Sequence, residues 1–453
     1  MGAIHEWVSN EFCTLSLRSK RLEQRVKIGV SQIASNISPS IWLASGDRSE
    51  AKAFYRMLAN DKFEGEALLS AHADAIKGRY PQGVVLAVQD TMAVNYATHK
   101  KTQGMGHNCE QTLGLNVHSC LALTPTGVPL GLLSQEVSTR LEKEDTLSKD
   151  QKKGRPIEEK ERYRWLTTMT TAATRMGEAI PLIHIADREG DIYELFAQAM
   201  ATKQWFLIRA VHHRLTMDGE DIVDAVRAEA PLGSILVTLP ENRQAGRDKE
   251  REVGFTVRVL STRIKKPARR KKPNLASSLP LTLLYLQEEG EVSSREPIEW
   301  LLMTNLPIDT PGEALIVAGF YHHRWKIERF HFVLKSGCQI EKIQQRSVDR
   351  MIPMILLYSI ISIHIMFLTY ASREEPFAPC SLVFSDGEWK TLFRAARRTP
   401  HAPDHPFSLV DAVKYVAQLA GFRGAPSDGP PGLKVLWMGM NRLYCLLAYS
   451  SFL

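Results

Sequence analysis

An α/β fold with parallel strands at its centre, a β-rich extension and helical flanks is what the chain predicts, on three observations. First, the segments VVLAVQ, VHSCLAL and VPLGLLS, beginning at Val84, are short, apolar and bounded by turn residues such as TPTG, as strands are. Second, EEKERYRWLTTMTTAATRM and DIYELFAQAM carry apolar residues at helical spacing and alternate with the strand-like LIHIA and WFLIRAV. Three strands, helix, strand, helix, strand is the order of a ribonuclease H-like layer. Third, 235–240, 253–260, 280–287 and 298–304 read as four further strands with no helix between them, an all-β insertion over about 212–305.

The flanks read differently. Residues 1–75 are helical and basic: LRSKRLEQRVKIGVSQIA is one amphipathic segment, and SEAKAFYRMLAN is a second helix that Ser49 is placed to cap. Such a pair is a candidate DNA-reading module or a plain basic helical pair. A catalytic segment spans 76–370, and 371–453 ends in LKVLWMGMNRLYCLLAYSSFL, a helix apolar enough to be an interface between two copies. Residues 351–370 contain no charge, yet Pro353, Ser359, Ser362 and His364 interrupt them, and they are read as a core helix rather than a membrane span.

With 453 residues, 44% apolar and 24% charged, the chain can bury a large core in more than one domain. A net charge of +7 favours a polyanionic partner. The six cysteines form no C-x-x-C pair, which argues against a zinc knuckle or disulfide framework and for a reducing compartment. No charged-then-apolar signal opens the N-terminus, so a cytoplasmic location is expected. Residues 261–273 hold seven cations and no acid, so phosphate is their expected partner.

Chemistry concentrates in YHHRWKIERFHFVLK. As one regular helix, it would set Tyr321, Arg324, Glu328 and Lys335 within a sector of about 60°. Ile327, Phe330, Val333 and Leu334 would lie opposite, facing a core. Two more acids end strands: Asp90 in VQDTMAVNY and Asp187 in IADREGD. Ligands of open α/β sheets gather at that edge, so Asp90, Asp187 and Glu328 can converge and hold two divalent cations. Oxygen-only ligands suit Mg²⁺ or Mn²⁺ rather than zinc. Taken singly, an Asp at a strand end is a helix cap or turn former.

These residues carry a resemblance. Tyr321-x2-Arg324-x3-Glu328-x6-Lys335 matches the Y-R-E-K signature of the DDE transposases of bacterial insertion sequences, and the chain most resembles the insertion-sequence-four family. SEAKAFYRML, VQDT, ADREGDIY, EWLLMTN and HRWKIERFH extend the resemblance over most of the chain. It implies that Asp90, Asp187 and Glu328 are the catalytic triad binding two Mg²⁺ or Mn²⁺ ions. It further implies that Tyr321, Arg324 and Lys335 hold phosphates, that Trp300 stacks on a base turned out of the duplex, and that Arg209 is a basic contact.

The implied activity is cleavage at transposon ends, then transfer of the 3′-hydroxyl to target DNA, in some relatives through a DNA hairpin. The implied partners are double-stranded terminal inverted repeats, target DNA and a second copy of the chain, with no membrane. Two other readings fit the same residues: a non-catalytic repressor derived from a transposase, and a metal-dependent nuclease without strand transfer.

Overall fold

The computed structural model describes residues 4–36, 38–80, 83–140, 155–239, 251–268, 275–290, 297–425 and 429–450. Its helices begin with α1 (Glu6–Glu11), α2 (Lys20–Ser35), α3 (Ile41–Ala44), α4 (Arg48–Leu58) and α5 (Gly65–Arg79). Strands β1 (Val85–Asn95), β2 (Gly106–His107), β3 (Leu113–Leu123) and β4 (Pro129–Ser138) come next. Then come α6 (Tyr163–Met176), β5 (Leu182–Ala186), α7 (Tyr193–Ala201), β6 (Trp205–Arg209) and α8 (Ile222–Ala228). A run of β7 (Gly233–Leu239), β8 (Arg251–Lys265), β9 (Ser278–Glu288) and β10 (Glu299–Thr304) precedes α9 (Pro311–His322) and α10 (Trp325–Phe332). The chain closes with α11 (Val348–Glu374), α12 (Asp386–Arg397), α13 (Leu409–Leu419) and α14 (Leu433–Ser450).

Two compact units share the chain. One, the sheet unit, comprises Val84–Asp90 and Gly154–Trp325; the other, the helical unit, comprises Met1–Gly83, Thr91–Lys153 and Lys326–Leu453. The division falls inside β1, between Asp90 and Thr91.

In the sheet unit the strand order is β1-β5-β6-β10-β9-β8-β7. β1, β5 and β6 are parallel, with Val88 opposite Ile185 and Ala186 opposite Ile208. Their apolar runs reflect burial on both faces: Val85, Leu86, Ala87 and Val88 are fully buried, as strands of a covered parallel sheet must be. β10 then runs antiparallel to β6 and β9, and β8 and β7 continue the antiparallel pairing. Trp165 and Met169 of α6, Phe196 of α7 and Val226 of α8 pack with Phe206, Leu283 and Met303 of the strands in one core. The Phe196 and Phe206 rings stack at 4.9 Å.

This corrects the all-β insertion. α8 lies within 212–305, where Asp221 accepts the Val223 amide at 2.9 Å and caps it. The strands beyond it extend the same sheet through β10 and β6 rather than forming a separate layer. Of the basic run at 261–273, Arg263, Lys265 and Lys266 end β8 or come just after it, and Arg269–Lys272 lie outside the described residues.

The helical unit contains α1–α5. Asp47, not Ser49, caps α4, because its Oδ1 accepts both the Ser49 and Glu50 amides, at 2.7 and 2.9 Å. Arg25 of α2 grips the Glu50 carboxylate and carbonyl, at 2.5 and 2.9 Å. The two helices touch at Gly29, where a Cβ would stand 2.7 Å from the Phe54 ring. In the same unit β3 pairs antiparallel with β2 and β4.

α11 is a core helix, as its sequence suggests. Among the described residues it alone is long and apolar enough to cross a membrane, but 83% of its apolar window is buried inside the protein. Ser359, Ser362 and Thr369 satisfy their hydroxyls by donating to the carbonyls four residues back, at 2.7–2.8 Å.

A buried charge network ties α1 to α5. Glu11 contacts His72, accepts from Arg79 at 2.6 Å, and Arg79 donates onward to the Leu130 carbonyl at 2.9 Å. Burial alone would raise the Glu11 carboxyl, yet His72 and Arg79 hold it down at about 2. Its unfolded value is near 4.5, so its charge favours folding above pH 4.5. That contribution, about 3 kcal/mol, drains away as the pH falls from 4.5 towards 2. Urea unfolding against pH should therefore be steeper for the wild type than for Glu11→Gln in that window. Parallel curves would show that Glu11 is not so held.

Candidate active site and nucleic-acid surface

Two residues beyond the last registered pair of β1 and β5, Val88 and Ile185, the chain carries Asp90 on one strand and Asp187 on the other. Neighbouring strands lie about 4.8 Å apart, so both acids stand where the parallel pairing stops. Asp187 follows the end of β5, but β1 runs on to Asn95, so Asp90 does not end its strand as the sequence suggests. Asp187 caps the turn Arg188–Gly190, with its Oδ1 accepting the Glu189 amide at 2.8 Å. Gly190 makes the turn possible: a Cβ there would lie 2.4 Å from that of Ala186. Partial burial, and then the charge of Asp187, push the Glu189 carboxyl above its usual range.

A second cluster faces the same electrostatic neighbourhood. Tyr321, only 5% exposed, sits at the end of α9, and its hydroxyl interacts electrostatically with the guanidiniums of both Arg209 and Arg324. Burial, reinforced by Asp187, raises the Tyr321 hydroxyl above its ordinary value, against the pull of the two guanidiniums. Burial, together with Arg188 and Arg324, lowers Arg209 below the usual arginine range. Arg209 also donates to the Glu299 carbonyl at 3.2 Å. Trp300 of β10 meets Tyr321 edge-on at 5.7 Å and stacks on Phe255 at the same distance. Arg209, Trp300, Tyr321 and Arg324 therefore come together in the sheet unit.

Glu328 and Lys335 belong to the helical unit. The single regular helix expected over 321–335 is not formed. α9 starts at Pro311, where Thr310 and Glu313 make a capping box, and it ends at His322. There the His323 amide divides between the Gly319 and Phe320 carbonyls, and Arg324 bonds back to Tyr321 at 3.0 Å. α10 carries Glu328 on its exposed side and passes into a π-helical turn over Val333–Gly337, closed by a 2.9 Å bond from the Cys338 amide to the Val333 carbonyl. Lys335 lies in that turn, 3.8 Å from Glu341, whose Oε1 also accepts the Asn95 amide at 3.0 Å. The 100° wheel thus fails twice within 15 residues. Among the described residues, no three His, Cys, Asp or Glu side chains gather closely enough to hold a metal ion.

One pair escaped sequence reasoning. Asp191, 1% exposed, accepts from the Val211 and His212 amides at 2.9 Å each and from Arg214 Nε at 2.9 Å. Arg214 is 5% exposed and lies 5.2 Å over the Phe196 ring. This buried ion pair locks the loop after β6 onto the turn that presents Asp187. Asp191 closes the acidic run IADREGD, but nothing in the sequence points from it to Arg214.

The N-terminal helices offer a different surface. α4 buries Ala51, Phe54, Met57 and Leu58, which leaves Arg48, Lys52, Tyr55 and Arg56 exposed. Residues 4–63 match the model of a family described as transposase DNA-binding. Among solved structures, the chain is similar to piggyBac transposase in a synaptic complex with hairpin DNA, determined by cryo-electron microscopy. The TM-score is 0.37 and the identity 9%, over 97% of this chain and 81% of that one.

Proposed function

We propose that the chain is a DDE-type DNA transposase of the insertion-sequence-four kind, cutting at transposon ends and transferring the 3′-hydroxyl to target DNA. The observation that carries this reading is the placement of Asp90 and Asp187 on adjacent strands, each two residues past the last parallel β1–β5 pair, with Asp187 in the electrostatic reach of Tyr321, Arg209 and Arg324. The transposase DNA-binding match over residues 4–63 supports DNA as the substrate.

Asp90 and Asp187, with Glu328 as the third acid that the resemblance implies, offer oxygen donors only, and such donors fit Mg²⁺ or Mn²⁺ rather than zinc. The chemistry such ions supply when bound is activation of water or a 3′-hydroxyl and neutralisation of charge on the departing oxygen. The residues of the chain do the rest. Arg209 and Arg324 hold phosphate oxygens through charge-assisted bonds, and Tyr321 keeps their guanidiniums aimed. Lys335 adds a further cation along the backbone. Trp300 offers a flat apolar face to a base displaced from the duplex, replacing the stacking that base loses. Two ends must be joined, so the active form is a homodimer on DNA, with α14 as its interface; Met438 and Leu446 on that helix are 42% and 40% exposed.

The deciding experiment incubates purified protein with labelled DNA bracketing its gene, Mn²⁺ and a target plasmid. Cleavage and then joined product are expected. Cleavage without joining would make the protein a nuclease, and binding alone would make it a repressor. On the same DNA, Trp300→Ala should slow opening of the end on the order of tenfold or more, with a much smaller effect on binding. Trp300→Phe, which keeps an aromatic plane, should recover part of the rate. An unchanged rate in the alanine variant removes Trp300 from base stacking.

A further inference from the structure

Trp42 and Leu43 have no part in the chemistry above. They are the middle residues of the four-residue helix α3 and are 53% and 59% exposed. Their neighbours Ile41 and Ala44 are 2% and 7% exposed, so the inward positions of this short turn are already taken. The platform is tied down on both sides. Asn36 Nδ2 donates to the Leu43 carbonyl and Ser45 Oγ to the Ile41 carbonyl, both at 2.7 Å, and the Tyr358 hydroxyl donates to the Ser38 carbonyl. Gly46, at φ 74°, then turns the chain into α4.

Two adjacent large apolar side chains held in water on a rigid turn mark a surface that something covers. The charges of the adjoining helix indicate the chemistry of that cover. Leu43 precedes Arg48 by five residues, and Arg48, Lys52 and Arg56 are all exposed cations. An apolar protein partner has no need of such a row. Duplex DNA offers phosphates to the cations, and between its base pairs it offers an apolar slot that a wedge can enter.

We propose that Trp42 and Leu43 form an apolar wedge that inserts at a base step of duplex DNA, unstacking and kinking it, while Arg48, Lys52 and Arg56 hold the flanking phosphates. The proposal rests on the DNA reading of residues 4–63. It makes the N-terminal segment a reader of DNA deformability as well as of charge.

The test uses the full chain and a duplex that it selects from a random-sequence pool, with 2-aminopurine placed at successive positions. Wild type should brighten the probe at one base step. Trp42→Ala/Leu43→Ala should abolish that signal and lower affinity on the order of tenfold or more, with an unchanged slope of log affinity against log salt. Its melting temperature should match wild type, since both side chains are exposed, and Trp42→Phe should retain much of the signal. Arg48→Ala/Lys52→Ala/Arg56→Ala should flatten the salt slope instead. Wild-type affinity and brightening in the double variant overturn the wedge alone. So does a change in sedimentation of the free variant with DNA binding intact, which would make the patch a protein contact. Recovery of no duplex from the pool overturns the wedge and the DNA reading together.

Discussion

Asp187→Asn should abolish DNA cleavage while leaving the protein folded and bound to DNA. The amide keeps a side-chain oxygen to accept the Glu189 amide, the 2.8 Å bond that caps the turn after β5. What it loses is the negative charge that the proposed ions require. Losing several kcal/mol of charge stabilisation corresponds to a fall of at least about three orders of magnitude in cleavage rate. Affinity for DNA should hold or rise slightly, because a carboxylate repels phosphate until a cation neutralises it. Asp187→Ala adds a structural cost, about 1 kcal/mol for a missing cap, and the pair of variants separates the two roles. Single-turnover cleavage of end-labelled DNA, with gel-shift binding alongside, reads both. Normal turnover by Asp187→Asn would remove Asp187 from the chemistry and take the proposed triad with it.

Arg214→Ala should cause the largest loss of stability of any single change in the sheet unit's polar residues. It strands the Asp191 carboxylate, 1% exposed, without its cation. Breaking one side of a buried pair costs about 3–5 kcal/mol, because a charge is left behind in a poorly solvating interior. For a unit of this size that is a drop of about 10 °C in melting temperature. The two amide bonds from Val211 and His212 remain, which keeps the loss at the lower end of that range. Arg155 and Glu159 pair at 3.1 Å in solvent and provide the contrast: Glu159→Ala should shift the melt by no more than about 1 °C. Arg214→Ala melting with wild type would mean that the pair contributes nothing. Because Asp191 also anchors the turn that presents Asp187, cleavage should weaken in Arg214→Ala as well.

The strands were readable because burial dictates their composition. VVLAV is a continuous apolar run and LIHIA is interrupted only by the buried His184, and each forms a covered parallel strand. Elements whose signal lies elsewhere are not legible in this way. α8 is seven residues long, too short for its periodicity to stand out between strands, although Asp221 marks its start. The capping box at Thr310-Pro311-Gly312-Glu313 announces α9 ten residues before the polar face that drew the reading to Tyr321. The break at His323–Arg324 carries no glycine or proline, so a regular wheel runs straight across it. The π turn at Val333–Gly337 has no residue signature at all. At the cap of α4, Asp47 and Ser49 are both plausible acceptors, and backbone geometry decides for Asp47. The meeting of Arg209, Trp300 and Tyr321 joins residues over 110 positions apart, and only strand pairing reveals it.

The passage of the chain between its two units inside β1 bears on how the protein is made. Neither unit is a contiguous stretch: one is assembled from three chain segments and the other from two. A nascent chain emerging from the ribosome therefore cannot complete the sheet unit until Trp325 has been delivered, nor the helical unit until α14 has been synthesised. Such long-range closure slows folding and lengthens the time that α11, with its long apolar stretch, waits for its cover. Expression at reduced temperature, or with chaperones in excess, should raise the soluble yield of the whole chain more than any truncation can.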